Sequence, residues 1–298
     1  MALVEPTEEL PATVLPSSRP SVLRQMLHQP RALISGGIVI LLLLVAILAP
    51  VISPMNPDTI APHGLSPIGA PLPPGTHGFL LGTDELGRDI LSRLIWGTQI
   101  SMAVGIGATL VTLFLGLVVG ITAGYYGGRI DTFFMRIADM FLAFPFILFV
   151  VFVASIFKPS LAVIILAIGL LGWAPISRIA RSRTLDIRHS LFVEAAVTAG
   201  ASSLRIIVRH VFPNVISTIT AYGLLQVGTN IMFESALSYL GAGPPPPTPD
   251  WGAMVAEGQG AMATAPWLFF IPGICIMVAV ISFNLFGDSW LQATTRRR

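Results

Sequence analysis

The chain has 298 residues, 54% hydrophobic and 11% charged, with a mean hydropathy of +0.80; soluble domains are about a quarter charged, so this one cannot coat a globular surface and suits a bilayer. The formal net charge is only +2, and 16 of the 17 basic residues are arginine. The one lysine, Lys158, precedes Pro159 without a glycine-rich turn before it, which excludes a phosphate-cradling P-loop.

Residues 1–31 are polar and proline-rich, with Glu5, Glu8 and Glu9 where a secretory signal would carry positive charge. They read as an N-terminal tail. Ala32–Ile52 follows without a charge over 21 residues, long for a signal core and right for a spanning helix. Further uncharged runs are Leu94–Gly128, Met140–Phe157, Pro159–Ser177, Val211–Phe233 and Gly258–Gly287, one span each and six in all. Leu94–Gly128 would be about 52 Å long as one helix, against about 30 Å of hydrocarbon. Its lead-in, Leu91–Gln99, is expected to approach along the membrane surface. The single cysteine, Cys275, lies in the last run, excludes an internal disulfide and reads as a small buried hydrophobe.

Arginine placement predicts orientation. With the N-terminus inside, 14 of 17 basic residues face the cytoplasm and only Arg88, Arg93 and Lys158 stay outside. Both termini are therefore expected in the cytoplasm. The longest outer loops, 54–93 and 237–262, are rich in Pro and Gly; the longest inner loop, 178–210, is not, and is expected to be ordered, helical and a docking surface.

Within the spans, Gly116, Gly120, Gly124 and Gly128 recur every four residues and predict a smooth groove for close helix packing, with a substrate-lining groove as the alternative. Arg136 and Asp139 are spaced to pair on one helix face, as a structural pair or in gating. Glu234 ends the fifth span at the outer side, where water reaches it; a place on a pathway and a solvated helix end both suit it.

One segment carries chemistry by its spacing. Glu194-Ala195-Ala196, three residues, Gly200, nine residues, then His210-Val211-Phe212-Pro213 resembles the EAA motif of ABC importer permeases, with His210 where the consensus has an aliphatic residue. Its physical sense is a short helix, a glycine turn and a second short helix, small enough at Ala195, Ala196 and Gly200 for a partner to close over. Glu194, Arg205 and Arg209 can add charge-assisted hydrogen bonds, each about 1.5–3 kcal/mol. Gly82-Thr83-Asp84, then Gly87-Arg88-Asp89 and Ser92-Arg93-Leu94, is similar to the GTDxxGRDxxSRL signature of dipeptide, oligopeptide and nickel permeases, in the DppC/OppC-type half. Leu237–Gly241, Pro247–Gly252 and Asn284–Asp288 are similar to further segments of that family, so the resemblance spans about residues 33–290. Asp84 and Asp89 are expected to cap the interfacial helix with Arg88 held between them, with substrate contact as the alternative. Pro244–Pro247 is expected as a stiff polyproline II stretch, an outer lip or a rigid connector.

The resemblance implies an all-α polytopic membrane protein with six transmembrane helices and a cytoplasmic EAA coupling loop: tail 1–31, permease domain 32–288 with the loop at 178–212, and tail 289–298. It implies a bacterial or archaeal inner-membrane subunit, forming half of a translocation pathway for di- or oligopeptides, or else nickel, glutathione or a metal chelate. The implied partners are a second homologous permease, two ATPase subunits and a periplasmic or extracellular substrate-binding protein. No cofactor or metal is expected in this chain, ATP and Mg belonging to the ATPases, and no nucleic acid. An intramembrane enzyme is disfavoured because the chain has no GxSxG or HExxH motif. An ion-driven transporter is disfavoured by nearly charge-free spans and no clear repeat.

Overall fold

A computed structural model describes residues 22–157 and 160–295. It is helical: α1 (Val22–Leu27), α2 (Pro30–Ile52), α3 (Ile90–Tyr126), α4 (Gly128–Ala143), α5 (Phe146–Ile156), α6 (Leu161–Arg188), α7 (Leu191–Thr198), α8 (Ser203–Ile206), α9 (Phe212–Tyr239), α10 (Trp251–Gln259) and α11 (Trp267–Thr295). A π-helical turn, Ile207–Val211, joins α8 to α9. Lys158 and most of the 1–31 tail lie outside the described residues.

Among the described residues four helices, α2, α3, α6 and α11, are long and apolar enough to cross a membrane, and the bent pair α4–α5 makes five. α9 is as long as α6, 28 residues each, but it carries Asn214, Gln226, Asn230 and Glu234. The third span is displaced from Met140–Phe157 and broken, turning by 87° between α4 and α5. The cause is local. Pro145 has no N–H to donate, and its ring pushes Phe144 to φ −84°, ψ 135°, out of the helical region.

Three other boundaries move. Leu91–Gln99 does not lie apart along a surface; α3 is one helix of 37 residues from Ile90, about 55 Å long, so part of it projects beyond a hydrocarbon core of about 30 Å. α6 continues past Ser177 to Arg188, and α11 begins at Trp267 and runs through the expected tail to Thr295.

The most extensive helix contact is α3 against α6. A Cβ on Gly116 would sit 2.6 Å from Ile176, on Gly120 2.5 Å from the Ser177 carbonyl, and on Gly124 2.7 Å from Thr184. Gly128 does not share that face: it starts α4 and has open space around it. Buried residues of α2, α3, α9, α10 and α11, among them Trp251, Ile231 and Phe283, form a second core at the other end of α3.

Candidate functional site

Two constellations stand out, at opposite ends of the bundle. The first is the elbow after α6. Its turn is set by hydrogen bonds from Ala201 N–H to the Ala196 carbonyl (3.1 Å) and from Gly200 N–H to the Val197 carbonyl (2.9 Å), with Gly200 at φ +77°. This is the Schellman helix stop, which needs a left-handed residue where Gly200 stands. The four-residue step from Ala196 to Gly200 is thus the geometry of a helix terminus. Val193, Ile206 and Val211 bury themselves against Leu117, Ile121, Ile176 and Ala180, anchoring the elbow. Outside remain Glu194, Ala195, Gly200, Arg205 and Arg209, together with Leu191, Val197 and Leu204. Ala196 and His210 are half-buried, His210 beside the Phe192 ring. Glu194, Arg205 and Arg209 form no ion pair among the described residues, and Pro213 sits in the first turn of α9. An apolar surface with unspent charges, on a firmly anchored turn, has the chemistry to receive another protein surface.

The second constellation is at the other end. Thr83 is buried, accepting from Leu72 N–H (2.9 Å) and donating to the Gly64 carbonyl (2.5 Å). Gly82 has φ +82° and would drive a Cβ to 2.4 Å from the Leu72 carbonyl, so only glycine suits it. Asp89 caps α3, accepting from Ser92 N–H and hydroxyl (2.8 and 2.6 Å). Asp84 caps no helix. It accepts from Leu86 and Arg88 N–H and pairs with the Arg88 guanidinium at 2.6 Å. Arg88 therefore lies between Asp84 and Glu257 (3.4 Å) rather than between the two aspartates. Arg93, 1% exposed, reaches the same Glu257 at 3.1 Å and Asp84 at 3.5 Å. Gly87, φ +80°, closes the turn.

Glu257 brings α10 to this cluster. Trp251 wedges in with its indole N–H on the Leu94 carbonyl (3.1 Å), and Gly252 lies flat on Ser235. Asp250 caps α10 through Ala253 N–H (3.0 Å). Glu234 is fully buried, not water-washed, and accepts from Ser101, Ser235 and Ser238 at 3.2–3.4 Å. The expected polyproline II stretch instead turns, Thr248 N–H bonding to the Pro245 carbonyl. Leu237–Gly241 repeats the Schellman stop at the end of α9, with Ala242 N–H on the Leu237 carbonyl (2.8 Å).

Asp250, on the link between α9 and α10, yields a pH prediction. Burial pushes its carboxyl above the usual carboxylate range; the hydrogen bond from Ala253 N–H opposes this, and the Glu257 charge reinforces it. The fold then holds that proton more tightly than the unfolded chain. Its contribution is complete below the unfolded value and is lost as pH rises through the folded one. Asp250→Asn keeps the cap and abolishes the titration. The variant should melt higher than wild type in detergent at about pH 8 and lose that advantage near about pH 4; parallel melting curves across that range would refute the idea.

The expected Arg136–Asp139 pair does not form. Asp139 binds Arg178 on α6, Asp131 binds Arg181, and Arg136 is exposed without an ion pair among the described residues. Local spacing offered Arg136, but the packing of α4 on α6 supplies closer partners.

Comparison with known proteins finds relatives over most of the chain. The family described as "Binding-protein-dependent transport system inner membrane component" matches residues 116–298, and "N-terminal TM domain of oligopeptide transport permease C" matches residues 21–74. The chain is 36% identical over 270 residues to the oligopeptide transport system permease protein OppC of Escherichia coli K12, covering 91% of this chain and 88% of that protein. It is equally similar, 36% over 270 residues and the same coverages, to the glutathione transport system permease protein GsiD of Pectobacterium atrosepticum. Among solved structures, the MetNI methionine ABC transporter in an inward-facing conformation superposes with a TM-score of 0.54 at 19% identity, over 68% of this chain and 97% of that one.

Proposed function

The chain belongs to the binding-protein-dependent transport system inner membrane components, and we propose that it is the permease half of an ABC importer for short peptides, driven through the elbow after α6. The relatives named for oligopeptide and for glutathione transport match it equally well, and both of those substrates are built on amide bonds. A peptide is the first reading and glutathione the second.

The observation that carries the mechanism is the anchored, outward-facing elbow. α8, the π turn and α9 run without a break from Ser203 to Tyr239, so a push on the elbow travels along one rod to Glu234 at its far end. In this reading ATP closes two ATPase subunits, their grooves carry the elbows of this chain and of a second permease, and the paired bundles switch from inward- to outward-facing. That is a two-state bundle biased at one end. The ATPases bring nucleotide and Mg; a substrate-binding protein outside the membrane delivers the cargo. α9 is the fifth span in chain order and brings the total to six, with Asn230 and Glu234 turned to the protein interior, and the arginine distribution supports both termini in the cytoplasm.

A cysteine tests the docking directly. In a Cys275→Ala background, Val197→Cys should cross-link to an ATPase subunit in native membranes with a short bifunctional thiol reagent, while Ile40→Cys on the exposed face of α2 should not. An elbow that cross-links only to lipid-exposed or outer-face proteins would refute the coupling role.

A further inference from the structure

The break between α4 and α5 opens beside a cavity of about 290 Å³. Phe144 and Phe146 border it on one side, Pro175 of α6 on a second, and Gln226, Thr229 and Phe233 of α9 on a third. It lies at mid-depth: Gln226 is about 21 Å along α9 from Phe212 and about 20 Å from Tyr239. Two backbone irregularities converge here. The helix break leaves the last carbonyls of α4 without helical partners, and Pro175 cannot donate to the carbonyl of Leu171, which lines the same cavity. Non-helical backbone at membrane depth persists only where protein covers it or it faces a water-filled cavity.

The side chains add chemistry. Phe146 and Phe233 stack with centroids 4.1 Å apart, and Phe144 is 62% exposed at the mouth. Gln226 donates to Asn230 (3.0 Å), which donates to Thr109 (3.0 Å), a chain that fixes the Gln226 amide in place. Its carbonyl oxygen accepts no bond among the described residues. None of the lining residues is charged, imidazole or thiol, so the cavity lacks the ligands that a transition-metal ion prefers. It offers an amide group an acceptor, a hydroxyl and apolar walls.

We propose that this cavity is a contact site for a peptide in transit, Gln226 and Thr229 bonding its amide groups while Phe144 and Phe233 hold its apolar side chains. The assignment rests on the importer reading above. The full complex, with its second permease, ATPases and binding protein, is reconstituted in vesicles, with radiolabelled trialanine or glutathione as probe, whichever the wild type accumulates. In the Cys275→Ala background, Phe144→Cys and Thr229→Cys should react with a charged thiol reagent, and saturating probe should slow that reaction; Ile40→Cys should stay inert. Gln226→Leu should raise the KM for uptake about tenfold. Inert cysteines at 144 and 229, or labelling that the probe leaves unchanged, in a complex that still accumulates probe would overturn the site alone. A wild-type complex that accumulates neither probe would sink the importer reading for peptides, and this site with it.

Discussion

Gly200→Arg will abolish uptake and release the ATPase subunits while the chain still inserts and folds. Two costs combine. A residue with a Cβ at φ +77° pays roughly 1–2 kcal/mol of left-handed strain and loosens the helix stop. The guanidinium would then be covered, without a partner, when an ATPase closes over the turn, and an uncompensated buried charge costs about 3–5 kcal/mol. At about 1.4 kcal/mol per decade, docking should weaken more than a hundredfold. Nothing lies within 4 Å of where the Cβ would stand, so Gly200→Ala meets only the strain and should keep partial uptake. Co-purification of the ATPases, with membrane yield as the control, reads both variants. Equal retention of ATPase in wild type and Gly200→Arg would refute the docking.

What the sequence disclosed was local. The EAA-to-glycine step is a helix terminus, and a helix terminus is written in five consecutive residues, so its geometry could be read from spacing alone. The same holds for Asp89, which caps the helix that starts beside it. Contacts between distant segments could not be read that way. Glu257 is 164 residues from Arg93 and belongs to no motif, yet it joins the two outer arginines. Arg136 was the nearest cation to Asp139 in sequence, whereas Arg178 is its partner in space. Glu234 read as a wet helix end because its cover, Ser101 of α3, comes from 133 residues away. The bend at Phe144-Pro145 did carry a signal, a proline inside an apolar run, but hydropathy is blind to backbone hydrogen bonding and saw one uninterrupted span.

The glycine stripe of α3 gives the second large effect, and it separates residues that spacing treats alike. Gly120→Leu must fit a side chain where a Cβ alone would come within 2.5 Å of the Ser177 carbonyl, 2.6 Å of the Ala180 Cβ and 3.0 Å of the Arg181 N. Two of those atoms are backbone and cannot rotate away, so α3 and α6 have to part. Overpacking costs about 1–3 kcal/mol where side chains can yield; with backbone opposing it, the upper end or beyond is expected. Parting the helices also strains the Asp131–Arg181 and Asp139–Arg178 pairs that tie α4 to α6. Folded protein recovered in detergent should therefore drop several-fold, with a lower melting temperature in what remains. Gly128→Asn meets open space at φ +55°, a conformation asparagine tolerates, and should be recovered at wild-type yield. If both variants fold equally well, the stripe does not hold α3 against α6, and the close approach of those helices has some other cause.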